Sequence, residues 1–142
     1  MTALVEPCKM FAKVKRLESV LCDLPQIDIP VTHVFGPGFY ARTVTIPAGS
    51  ILVGKLHATD HIFIVSSGTL MLTTDDAVMM VEAPFQCVAK AGMKRAGHAI
   101  TDVVCTNVHI TTETDLVKLE NQLIVNDAIE FDQHKEVIQW GG

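Results

Sequence analysis

Gly54–Gly68, GKLHATDHIFIVSSG, is the stretch whose reading decides the fold. It reads as a strand, a short turn carrying His57 and His61, and a second strand that ends at Gly68. Ile62 and Ile64, and then Leu70 and Leu72 beyond the glycine, alternate with other residues as paired strands require, because successive strand side chains point to opposite faces. The rest of the chain is expected to close a small β-barrel around these two histidines.

The flanking sequence repeats the pattern. Phe39–Ile46 alternates as a strand, and Pro47-Ala48-Gly49 turns it into a second, Ile51–Leu56. Thr69–Thr74 and Ala77–Glu82 form a hairpin about Asp75-Asp76, which reads as a turn and not as a catalytic carboxylate pair. Thr32–Phe35, Phe85–Ala89 and Val103–Ile110 are further strands, and Lys90–Gly97 is a glycine-bearing loop. Short strands with no helices between them predict an all-β antiparallel sandwich or barrel. Two helices flank it. Lys9–Leu24 places Phe11, Val14, Leu17, Val20, Leu21 and Leu24 at helical spacing and ends at Pro25. Thr114–Ile124 does the same with Leu116, Leu119 and Leu123, and Thr112 or Thr114 is the expected cap. The chain therefore reads as one domain over 1–142: a helix in 1–25, a barrel in 26–111, and a helix and tail in 112–142. The tail after Val125 is apolar without a single period, and reads as an extra strand or an arm onto a partner subunit.

Composition bounds the function. Hydrophobic content of 49% and charged content of 19% describe an ordinary globular domain. A net charge of −5 argues against a nucleic-acid polymer as partner. Cys8, Cys22, Cys87 and Cys105 lack CxxC spacing and read as buried free thiols of a reducing cytoplasm. The first residues lack the continuous apolar run of a signal peptide, and no stretch is apolar for long enough to span a membrane. A soluble intracellular protein is expected.

The histidine stretch resembles the cupin family of RmlC-like jelly-roll barrels, whose first motif has the form G…HxHxxxExxxxxxG and whose second is PxGxxHxxxN. On that spacing His57 matches the second histidine, His61 stands where the glutamate belongs, and Gly68 is the closing glycine. Lys55 takes the first-histidine position, and in the second motif Gly92 is the glycine and Arg95 stands in place of the histidine. More narrowly, YARTVTIPAGSILVGKLH, APF, GMKRAGHA and TNVHITTETDLVKLE look like small single-domain cupins of tailed bacteriophages. That resemblance implies a phage origin and the cytoplasm of an infected bacterial host. It also implies, as one role, a sponge that sequesters a nucleotide immune signal such as a cyclic dinucleotide.

The residues themselves suggest an anion site. With Lys55 and Arg95 at two of the four positions where a cupin keeps metal ligands, cations repel an ion that no carboxylate there compensates. No metal or other cofactor is therefore expected. Lys55, Lys94 and Arg95 instead offer positive charge, and His57, His61 and His98 offer hydrogen-bonding groups, for a compact anion such as a nucleotide phosphate. The alternative is a metal-dependent enzyme with His57, His61 and His98 as ligands; Asp60 is a further candidate, as is His109 if its strand faces inward. A third reading is a virion or assembly protein. No GxSxG or Walker motif is present, so binding is favoured over turnover. Exposed sheet edges favour a homo-oligomer, with the first helix and the tail around Trp140 as the expected contacts.

Overall fold

A computed structural model describes residues 10–74 and 76–124. The elements run α1 (Phe11–Cys22), β1 (Val31–Gly36), β2 (Phe39–Ile46), β3 (Ile51–Val53), β4 (His61–Ser67), β5 (Thr69–Thr73), β6 (Val78–Glu82), β7 (Phe85–Ala89), β8 (Ala96–Ala99), β9 (Val103–Ile110) and α2 (Leu116–Leu123). The strands form two antiparallel sheets, a five-stranded one in the order β1-β2-β9-β4-β7 and a four-stranded one in the order β3-β8-β5-β6. This is an all-β jelly roll with a helix at each end.

The alternation read from the sequence is what lets the sheets pack. Val44 and Ile46 of β2, Phe63 and Val65 of β4, and Val103 and Cys105 of β9 all face inward and are buried. They meet Leu52, Leu70, Leu72 and Val81 of the other sheet. Burying each such side chain contributes roughly 1.5–3 kcal/mol, which makes this interface the main source of stability. The strand order has a second consequence: β1 and the start of β2 extend the larger sheet beyond the smaller one. There Tyr40 packs against Leu119 and Leu123 of α2 instead.

Gly68 closes the β4–β5 turn with φ near +91°. A Cβ there would lie 2.0 Å from the backbone oxygen of Asp102. Glycine is required at this position on both counts.

Helix α1 docks on the outside of the smaller sheet, where Val14 packs with Val53 and Ala96 and is flanked by Met10, Leu17 and Leu21. The buried stripe is rotated from the expected one. Val20 and Leu24 are exposed, whereas Lys15 and Glu18 are buried. The cause is an ion-paired cluster under the helix: Glu18 lies 3.2 Å from Lys15 and 3.2 Å from Lys94. Helix α2 is capped by Asp115, not by a threonine; its carboxylate accepts from the backbone N–H groups of Val117 and Lys118. β3 ends at Val53 and β8 begins within the expected loop, at Ala96. The tail from 125 onward, including Trp140, and Cys8 lie outside the described residues. No helix among the described residues is long and apolar enough to cross a membrane.

Candidate functional site

Three histidines converge where the larger sheet passes beyond the smaller. His61 opens β4 and His109 lies near the end of β9, one position past the paired residues Ile62 and Val108, so both rings stand on the inner face of neighbouring strands. His57 reaches them from the preceding turn. Its backbone pairs with Ile124 at the end of α2, and its carbonyl accepts from Gly92 N–H at 3.1 Å. The adjoining Ala58 N–H donates to the Leu123 carbonyl at 2.7 Å. Two loops and two strands thus fix the rings.

All three side chains are buried. Ring centroids are 4.4 Å apart for His57 and His61, 4.5 Å for His61 and His109, and 5.3 Å for His57 and His109. One nitrogen from each ring falls within 4.8 Å of the others. Burial first, then His61 and Arg42, hold His109 down at about 4, and burial is also the main cause that lowers His61. His61 and His109 are therefore neutral at physiological pH, the form that ligates metals. Asn107 Oδ1 stands 3.2 Å from His61 Nε2. Such an outer contact is the kind that orients a ligating imidazole. The Nδ1 atoms of His61 and His109 have no hydrogen-bond partner among the described residues. Leaving a buried polar atom unsatisfied costs about 1–3 kcal/mol, so two such nitrogens in one cluster need an explanation. A set of three imidazoles suits Zn, Fe, Ni or Cu. The donor set fits a divalent transition metal.

The structure rearranges the site expected from sequence. His57 and His61 meet, but the third histidine is His109. His98 points to solvent from the outer face of β8, so the set His57, His61 and His98 is corrected to His57, His61 and His109. Lys94 is buried beneath α1 against Glu18 and does not line the barrel. Lys55 reaches Glu120 of α2 and ties the helix to the barrel mouth. Arg95 does line the barrel, where its guanidinium lies 5.7 Å from the Phe63 ring centroid and its Nε donates to Met93 Sδ at 3.0 Å. Asp60 bonds the backbone N–H of Ala91 at 2.8 Å and stays outside the cluster. Lys55 is paired with Glu120, Arg95 stays in the barrel close enough to His61 to lower its pKa, and a histidine from another strand, His109, completes the set of three imidazoles. Period-2 alternation from Val103, which puts His109 on the same face as Cys105 and Asn107, was the signal for it.

Two cavities adjoin the cluster. The one inside the barrel is small, about 50 Å³, and is lined by His57, His61, Phe63, Arg95 and Asn107 among apolar neighbours. The other, about 250 Å³, lies between the sheet and α2. Its polar wall is Tyr40, Arg42, Lys55, His57, His109 and Glu120, and its apolar wall is Leu116, Leu119 and Leu123. Tyr40, stacked 6.0 Å from His109, is hydrogen-bonded through its hydroxyl to His33 Nδ1 at 2.7 Å. Arg42 was not singled out from sequence as a site residue.

Two packed antiparallel sheets with a histidine cluster at one open end define the cupin jelly roll. Solved structures agree. KdgF from Halomonas sp. superposes with a TM-score of 0.53 at 15% identity over 66% of this chain and 88% of that one. A cupin superfamily protein from Desulfitobacterium hafniense gives 0.51 at 10% identity, over 63% and 86%. The cupin domain of Cnp3 from Schizosaccharomyces pombe gives 0.51 at 19% identity, over 69% and 71%. At such identities the likeness is one of fold. No protein-family model matches the chain, and no curated protein matches it.

Proposed function

We propose that this chain is a metal-binding cupin that takes up a small organic acid in the chamber beneath α2. The observation that carries this reading is the meeting of His57, His61 and His109, buried and with ligand nitrogens within 4.8 Å of one another. These three residues would hold the ion. A divalent metal there supplies a Lewis-acid position for a ligand oxygen.

The chain's own residues select the ligand. Arg42 offers the planar fork that matches a carboxylate, and Lys55 adds positive charge at the mouth. Leu116, Leu119 and Leu123 face a short apolar tail or ring. At about 250 Å³ the chamber falls below the roughly 300–1,000 Å³ typical of sites for drug-sized molecules, which favours a compact acid over a cyclic dinucleotide. Loss of Lys94 to the ion cluster under α1 also removes one of the three cations that a nucleotide phosphate would have used. The reading is one of binding; no reaction is assigned.

Metal content of protein purified without chelator, followed by calorimetric titration with Zn²⁺ and Ni²⁺, tests it. One ion per chain is expected, with affinity falling at least 100-fold in His57→Ala and in His109→Ala. Less than a tenth of an equivalent of metal, with no titration heat, would overturn the proposal.

A further inference from the structure

We infer that the outer face of the five-stranded sheet is the contact surface for a second copy of this chain. The register places Val34, Ala41, Val108, Ile62 and Val88 in one row, each beside the next across all five strands. The adjoining row is Thr32, Thr43, Thr106, Ile64 and Gln86, and Phe39 beside Ile110 begins a third. No outward position of these strands carries a charge, although the chain has 16 acidic and 11 basic residues.

This face is apolar and open. Val34 is 55% exposed, Phe39 47%, Ile62 40%, Val88 50% and Ile110 90%. From these fractions the five side chains leave roughly 500 Å² in one patch, at the upper end of what a monomer exposes. The row of threonines and Ile64 carries the face toward the ~800 Å² per partner of a standard interface. Its polar groups are already provided for in part, since Thr43 Oγ1 and Thr106 Oγ1 are hydrogen-bonded to each other at 2.8 Å. Covering this pair leaves the bond intact.

The occupant follows from the charge. A membrane surface or an acidic partner would call for positive charge on the face, and a basic partner for negative charge; the outward positions of the sheet carry neither. A twisted apolar sheet fits a copy of itself, because two such faces pack about 10 Å apart with strands within about 30° of alignment. A two-fold axis through the middle of the sheet makes the contact self-complementary. Two chains of net charge −5 repel at a distance, so an uncharged patch is where they can meet. This moves the expected homo-oligomer contact from α1 to the sheet, for α1 spends its apolar stripe on Val53 and Ala96 of its own chain.

Light scattering behind size exclusion, run on the full chain from about 1 to 100 µM, tests the inference by the affinity scale for specific dimers. A mass of twice 15.5 kDa is expected. Val108→Lys, at the centre of the face, should raise the dimer dissociation constant at least 10-fold, and an equal mixture of Val108→Lys with Val108→Glu should restore the dimer. Met80→Lys, on the outer face of the smaller sheet, should leave it unchanged. Circular dichroism confirms that each variant folds. A wild-type monomer at 100 µM would overturn the inference, as would a Val108→Lys dimer that Met80→Lys dissociates.

Discussion

His61 and His109 stand side by side on neighbouring strands with ring centroids 4.5 Å apart, and Asn107, the next inward residue of β9, holds His61 by its Nε2. One strand therefore contributes both a ligand candidate and the group that orients another. Strand alternation produces this without a special loop.

Asn107 acts through His61, so its loss should weaken metal binding without abolishing it. Asn107→Ala is expected to lower Zn²⁺ affinity by about 10–100-fold, the range seen when an outer partner of a ligating histidine is removed. Calorimetry against wild type checks this, and Asn107→Asp, which keeps an acceptor, should recover most of the affinity. Equal affinities in all three would show that His61 is oriented by packing alone.

The ligand reading separates Arg42 from Lys94. In metal-loaded protein, a thermal-shift series of acetate, hexanoate and benzoate should show stabilisation that grows with the apolar part, and Arg42→Gln should weaken it about 10-fold or more, as expected for a charge-assisted pair. Lys94→Met should leave ligand binding unchanged and lower stability, because Lys94 faces Glu18 at 3.2 Å beneath α1. Stabilisation by a cyclic dinucleotide with no response to the acids would favour nucleotide sequestration instead.

Stability should fall in acid because of the cluster. A histidine titrates near 6.5 when unfolded, whereas His109 is held at about 4 in the folded protein. Between those values the unfolded chain binds a proton that the folded chain refuses, so the contribution is fully present above the upper value and declines as pH drops toward the lower one. Denaturant melts of metal-free protein across that window should show the decline, and His109→Gln should flatten it. Parallel profiles for the two proteins would refute the assignment.

Two glycines with the same backbone sign test the packing at the end of the central motif. Gly68→Ala must accommodate both φ near +91° and a carbonyl oxygen 2.0 Å from the new Cβ. A loss of about 2 kcal/mol or more is expected, the range for backbone strain combined with a clash. Gly38→Ala, at φ +89° with nothing within 4 Å, meets only the conformational penalty and should cost about 1 kcal/mol. Chemical denaturation of the two variants side by side measures the difference.

The strands were legible because one face of each is buried. Period-2 alternation in Phe39–Ile46, Phe85–Ala89 and Val103–Ile110 marks those elements to the residue, since a slip of one would turn every core side chain to solvent. Gly68 was legible as the glycine that closes the motif, and its φ near +91° is the backbone reason that a glycine stands there. Motif spacing brought His57 and His61 to the barrel mouth. What spacing along the chain does not contain is which strands become neighbours. β9 lies between β2 and β4, and only that order sets His109 against His61 and Val108 against Ile62. Lys94 stands one residue from Arg95 in the chain, yet it leaves the barrel for an ion cluster because α1 docks over it with Glu18 beneath. Local propensity and alternation depend on a residue and its near neighbours, and the sequence determined those. The third histidine, the chamber under α2 and the uncharged face of the sheet depend on partners far away in the chain, and only the tertiary structure decided them.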